Sequence, residues 1–146
     1  MRLQTLKSLL AALGSGLLLA ATTAAQAADP GVSDSTITLG MSAPFTGPNG
    51  AYGKEMREGA LAYFAQLNAT GGVGGKKIEL LALDDGYETE KTVANTRKLI
   101  NESKVFALMA YYGSSPTTEA MKVFSDAKVP LLGTISGAGR DRKSVV

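Results

Sequence analysis

Residues 111–125 read YYGSSPTTEAMKVFS, and the order of chemistry along them is that of a buried strand handing over to a helix. Residues 105–111 are continuously apolar, Gly113, Ser114 and Ser115 make a small polar turn, and Pro116 suits the first helical position, where its missing N–H would be unpaired anyway. Ser115 is thereby read as the N-cap, with Ala120, Phe124 and Ala127 following at helical spacing. The amides of Thr117 and Thr118 would then point out of the helix start beside two serine hydroxyls, a neutral cradle for an anionic group such as a carboxylate. Taken alone, the same serines need do no more than cap the helix. The rest of the chain decides.

Downstream, residues 129–135 (VPLLGTI) form a fourth strand that ends in the small polar loop 136–139. Upstream, residues 36–45 (TITLGMSAPF) alternate Ile37, Leu39 and Met41 with Thr38 and Gly40, a first strand closed by Pro44. A turn-rich loop over 46–52 leads to a helix over 53–68, with Met56, Ala60, Phe64 and Leu67 on one stripe. The glycine run 71–75 follows a helix and leads into a strand, the reverse of a dinucleotide fingerprint, so it reads as a helix stop and a turn. A second strand over 77–83 ends in Asp84-Asp85-Gly86, and a second helix occupies 88–102. This alternation predicts an α/β fold, a parallel sheet with helices on both faces, because right-handed crossovers are nearly obligatory. In such a sheet ligands collect beyond the carboxyl ends of the strands. The loops 46–52, 84–87, 112–115 and 136–139 converge there.

Composition removes whole classes of chemistry. The chain has no Cys and no His, which excludes thiol and imidazole catalysis, disulfides and His- or Cys-based zinc sites. A hydrolase would need a Ser-Lys or carboxylate pair, and Ser125-Asp-Ala-Lys128 sits at the tail of a helix rather than at a strand end, so no enzyme is expected. Asp84 and Asp85 could hold a divalent metal in a receiver-like domain, but that arrangement needs an aspartate after the third strand, where Tyr111 and Tyr112 stand. A turn and helix-entry role is favoured for the two acids, and neither a metal nor a cofactor is expected. Arg2 and Lys7, the apolar run 9–21 and Ala25-Gln26-Ala27 make residues 1–27 a cleavable signal peptide, too short in its apolar part to span a bilayer. Without Arg2 and Lys7 the 13 remaining basic residues balance the 13 acidic ones, which leaves no basic footprint for nucleic acid.

The strand TITLGMSAPFTG, the segment from GAYGKEM to TRKLI, the turn YGSSPTTEAM and the loop PLLGTISGAG together resemble the periplasmic substrate-binding proteins of ABC importers, of the branched-chain amino acid (Leu/Ile/Val) type. The resemblance covers 36–139 and implies the amino-terminal lobe of a hinge-closing, two-lobed type I receptor, here incomplete, with about four strands and three helices and the second lobe missing. It implies a periplasmic protein, a monomer at full length, that captures an amino acid or related small carboxylate and passes it to a permease in the inner membrane. A ligand-sensing extracytoplasmic domain of a membrane receptor and a non-functional truncated fragment are the alternatives. By the same resemblance Tyr52 is the aromatic residue of the first ligand loop, Ser114 and Ser115 fall in the turn that contacts the ligand carboxylate, and Ser136, Gly137 and Ala138 supply further contacts. Gly139-Arg140 departs from the family pattern, so nothing is carried beyond Ala138.

The last six residues, DRKSVV, can be encoded by GATCGGAAGAGCGTCGTG, which with a following TAG is a common sequencing-library adapter. Residues 28–139 are therefore expected to be the partial lobe and 140–146 a non-native tail. A naturally short protein is the alternative, at odds with the uncovered sheet edge it would leave.

Overall fold

The computed structural model describes residues 29–139; the expected leader 1–27 and tail 140–146 lie outside the described residues. The elements run β1 (Thr36–Ala43), α1 (Gly50–Ala69), β2 (Lys77–Asp84), α2 (Thr89–Asn101), β3 (Ala107–Met109), α3 (Ser114–Asp126) and β4 (Leu131–Leu132). The four strands make one parallel sheet in the order β2-β1-β3-β4. This is the α/β architecture expected from the alternation. β1 lies inside the sheet and pairs with β2 along its whole length, from Thr36 opposite Lys77 to Ala43 opposite Asp84.

Side-chain alternation divides β1 between two cores. Met41 and Ala43 join Phe45 and Ala110 in one cluster, covered by Met56 of α1. On the other face Leu99 and Ile100 of α2, Ala120 and Phe124 of α3, and Val105, Leu108, Tyr111 and Leu131 form the larger cluster. Gly40 faces this second side, where an added Cβ would meet Leu108 and Leu99 at 3.0–3.2 Å. Helices thus cover both faces of the sheet. Tyr111 is fully buried, and its hydroxyl shares a 2.9 Å hydrogen bond with the Thr96 hydroxyl, so the one polar atom of a large core ring is satisfied.

Two strands are shorter than their apolar runs suggest. β3 stops at Met109 because Ala110 adopts φ 55°, a left-handed conformation outside the β region. β4 stops at Leu132 because Gly133 takes φ 61°. Pairing resumes beyond both kinks: Ile135 donates its N–H to Tyr111 O at 2.9 Å, and Gly113 donates to Ile135 O at 2.9 Å. α1 starts at Gly50, three residues before the expected 53, which moves Tyr52 from the loop into the first helical turn.

Two glycines of α1 separate packing from propensity. A Cβ on Gly53 would lie 1.8 Å from Pro44 O, whereas one on Gly59 would meet nothing within 4 Å. Gly53→Ala should cost about 1–3 kcal/mol through overpacking, and Gly59→Ala should add about 0.5–1 kcal/mol by restoring helix propensity. Urea midpoints of the two variants check this, and a neutral Gly53→Ala would show that α1 does not seat on Pro44 as described.

Candidate functional site

The carboxyl ends of β1 and β2 are joined by the two aspartates at the end of β2. Asp84 Oδ1 accepts the Phe45 N–H at 2.7 Å and the Gly86 N–H at 3.0 Å, and its Oδ2 accepts the Thr46 hydroxyl at 2.6 Å. That carboxylate ties the loop after β1 to the loop after β2. Asp85 is fully buried and accepts the Ser42 hydroxyl at 2.8 Å, the Thr92 hydroxyl at 3.1 Å and the Tyr87 N–H at 2.9 Å. Both acids are spent on protein donors, and among the described residues no group of three or more His, Cys, Asp or Glu side chains could hold a metal ion.

The bond from Asp85 fixes Tyr87, whose backbone takes φ 67°. Tyr87 in turn lies against Gly113, where a Cβ would come within 2.4 Å of its ring. Gly113 takes φ 98°, so this position needs glycine both for conformation and for space. Tyr112, beside it, stacks on Tyr52 with ring centroids 5.3 Å apart and 12° between planes, and meets Tyr87 at 5.8 Å with planes tilted by 59°. Tyr52 and Tyr87 remain 54% and 42% exposed, so the row of three rings stands at the surface of the rim.

The start of α3 differs from the expected one. Gly113, not Ser115, occupies the N-cap position, and it offers no side-chain cap. Ser114 and Ser115 are the first two helical residues and Pro116 the third, where its absent N–H still costs nothing. The Thr117 N–H is already bonded to Gly113 O at 3.2 Å, so the outward amides are those of Ser114 and Ser115. The Thr117 side-chain hydroxyl is the one buried side-chain polar atom among the described residues with no hydrogen-bond partner.

Freed from capping, Ser114 reaches across to the loop after β4. Its Oγ accepts the Gly137 N–H at 2.9 Å and the Ser136 hydroxyl at 3.2 Å, while Ser136 Oγ accepts the Ala138 N–H at 3.0 Å. The bonds run in one direction, from Ala138 through Ser136 to Ser114. With Ser114 Oγ accepting two bonds, its own proton remains to be donated.

Of the residues singled out in the sequence, Ser114, Ser136, Gly137 and Ala138 are therefore brought into one hydrogen-bonded group, and Ser115 is exposed beside them. Tyr52 reaches the same rim through Tyr112. The sequence reading missed Tyr87, although a tyrosine just past the end of a strand, two residues after an Asp, was the available signal. Acidity at the rim follows from burial and bonding. Burial pushes the Asp85 carboxyl above its ordinary value, against the Tyr87 N–H and the Ser42 and Thr92 hydroxyls, which pull it down. For Asp84 burial also pulls upward, but the Thr46 hydroxyl and the amides of Phe45, Gly86 and Thr46 outweigh it and hold the group below its ordinary value.

The profile of the Periplasmic binding protein family matches residues 36–145. The chain is 33% identical over 97 residues to the leucine-, isoleucine-, valine-, threonine- and alanine-binding protein of Pseudomonas aeruginosa, a match covering 66% of this chain and 26% of that protein. It superposes on the crystal structure of a possible leucine/isoleucine/valine-binding protein from Rhodopirellula baltica with a TM-score of 0.72 and 34% identity, covering 75% of this chain and 30% of the other. It is also similar to a fatty acid ABC transporter substrate-binding protein from Thermomonospora curvata, with a TM-score of 0.67 and 32% identity over 75% of this chain and 27% of the other. The chain spans about a quarter of the length of the curated relatives it matches.

The two aspartates carry opposite pH signatures. Asp85, raised from 3.8, contributes stability that is full below the unfolded value and is lost as pH rises through its folded value. Asp84, lowered from 3.8, contributes above the unfolded value and loses that contribution as pH falls through its folded one. Asp85→Asn should therefore flatten the decline in stability above pH 3.8, and Asp84→Asn should flatten the acid limb below it. Urea midpoints across pH 3 to 7, about the ordinary carboxylate range and above, check both; an unaltered upper slope in Asp85→Asn refutes the buried-acid assignment.

Proposed function

The chain belongs to the periplasmic binding protein family, and from that premise we propose that it forms one lobe of a two-lobed solute receptor that captures an amino acid or related small carboxylate. In this reading the receptor works in the periplasm, to which residues 1–27 direct it, and delivers its ligand to an ABC permease of the inner membrane. Residues 28–139 form part of the amino-terminal lobe.

The observation that carries the proposal is the one-way hydrogen-bond chain that ends on the Ser114 proton. Each bond in such a chain polarises the next, so the terminal hydroxyl is a better donor than an isolated serine. It emerges at the start of α3, where the unpaired amides of Ser114 and Ser115 and the positive end of the helix favour negative charge. A carboxylate fits this set of donors, with its ring or side chain toward the tyrosines. No bond is made or broken. The second lobe closes over the solute, removes water and strengthens each polar contact.

Calorimetric titration of the complete two-lobed protein with small amino acids and monocarboxylates tests this reading. Ser114→Ala combined with Ser115→Ala should weaken binding at least tenfold, about 1.4 kcal/mol, whereas Ser125→Ala at the far end of α3 should leave it unaltered. Equal affinity in the double variant refutes the assignment of the α3 start as the carboxylate site.

A further inference from the structure

Resting on the carboxylate-capture reading, we propose that Tyr52, Tyr112 and Tyr87 make the site selective for a carboxylate that carries a planar ring, an aromatic acid, over an aliphatic acid of the same size. Three rings from three separate segments, α1, the loop after β2 and the exit of β3, meet within 6 Å of one another, centroid to centroid along the row, beside the Ser114 donors. A hydrophobic core would enclose such rings. Here the two outer members stay 54% and 42% exposed although each packs on Tyr112, which leaves ring surface open to a further ring.

The row is also fixed before any ligand arrives. The backbone of Tyr112 is held by its parallel bridge to Ile135, that of Tyr87 by the Asp85 carboxylate and that of Tyr52 by the first turn of α1, while the Tyr87 ring seats on Gly113 and both outer rings lean on Tyr112. Little rotamer freedom is then left to lose on binding. Ring–ring contacts at these separations contribute beyond area burial, because the positive edge of one ring meets the negative face of the next. An aliphatic chain covers the same tyrosines but has no quadrupole to match. The donors for the acid are uncharged, so discrimination falls to the rings, and the orientation of the solute is set by its carboxylate at Ser114 and its ring at Tyr52 or Tyr87.

Benzoate and cyclohexanecarboxylate separate planarity from size, and leucine reports the capture reading itself. By calorimetry on the complete two-lobed protein, benzoate should bind at least tenfold tighter than cyclohexanecarboxylate. That ratio should fall to within about threefold in Tyr87→Leu and in Tyr52→Leu, both at exposed positions, with melting temperatures confirming that the variants are folded. A ratio near one in the unmodified protein that still binds leucine overturns ring selection and leaves the capture reading standing. Equal weakening of both acids in Tyr87→Leu overturns it too, since the row would then bear on the closing lobe rather than on the solute. Failure of all three probes to bind sinks both readings.

Discussion

Parallel pairing of β1 on both its edges is the constraint from which the rest follows. With β2 on one side and β3 on the other, every strand runs the same way and each connection must cross over through a helix. All the carboxyl ends then share one rim, so residues far apart in the chain meet there without any long loop. The register is held by chemistry on each face. Slipping β1 by one residue would turn Met41 and Ala43 out of one core and carry Ser42 away from Asp85, leaving a buried carboxylate short of a donor.

Asp85 and Gly113 transmit that order to the rim. Asp85 collects donors from β1, from its own turn and from α2, and thereby sets the left-handed backbone of Tyr87. Gly113 then gives the space into which the Tyr87 ring fits, while its N–H anchors Ile135 and so the loop that follows. The Ser114 contacts to Gly137 and Ser136 complete the circuit from β2 to the loop after β4. Gly86, Tyr87, Ala110, Gly113 and Gly133 all take positive φ between the end of β2 and this loop, Tyr87 and Ala110 without being glycine. Non-glycine left-handed backbone also occurs at Lys104 and Lys128, before β3 and β4, so the tight turns at both ends of the strands carry such strain.

The architecture was legible in the sequence because alternation and apolar runs report burial directly. Four strands and three helices follow in the order the pattern predicts, with shifted ends, and the signal that fixed fold class was the strand-to-helix exchange repeated along the chain. What stayed hidden was backbone conformation. Ser-Ser-Pro imitates a capping motif, but the left-handed Gly113 ends the strand exit sooner and sets α3 two residues earlier, so Ser115, the expected cap, becomes the second helical residue and Ser114 a tether to the loop after β4. Ala110 likewise breaks β3 although nothing in its side chain announces a left-handed φ. The serines at the start of α3 were legible from the strand-turn-helix pattern, and the resemblance added the contact roles of Ser136, Gly137 and Ala138. The approach of Tyr87 to Gly113 depends on two loops meeting across the sheet, which one-dimensional pattern does not encode.

On the capture reading, a cradle of neutral donors is a compromise between holding and releasing an anion. An arginine in place of Ser114 would give charge-assisted bonds about twice as strong as neutral ones, but the solute would then be retained even with the lobes open. Neutral donors at an open rim compete poorly with water, where charges a few ångströms apart interact by only about 1 kcal/mol; the same geometry gains several-fold once water is excluded. On the two-lobe reading, affinity is therefore switched by closure rather than stored in either lobe. The exposed faces of Tyr52 and Tyr87 fit that logic: they are apolar surface left open on one lobe, covered only when a solute and the opposing lobe arrive together. Capture and release then differ in the dielectric around one hydrogen-bond chain, and no change in that chain is required.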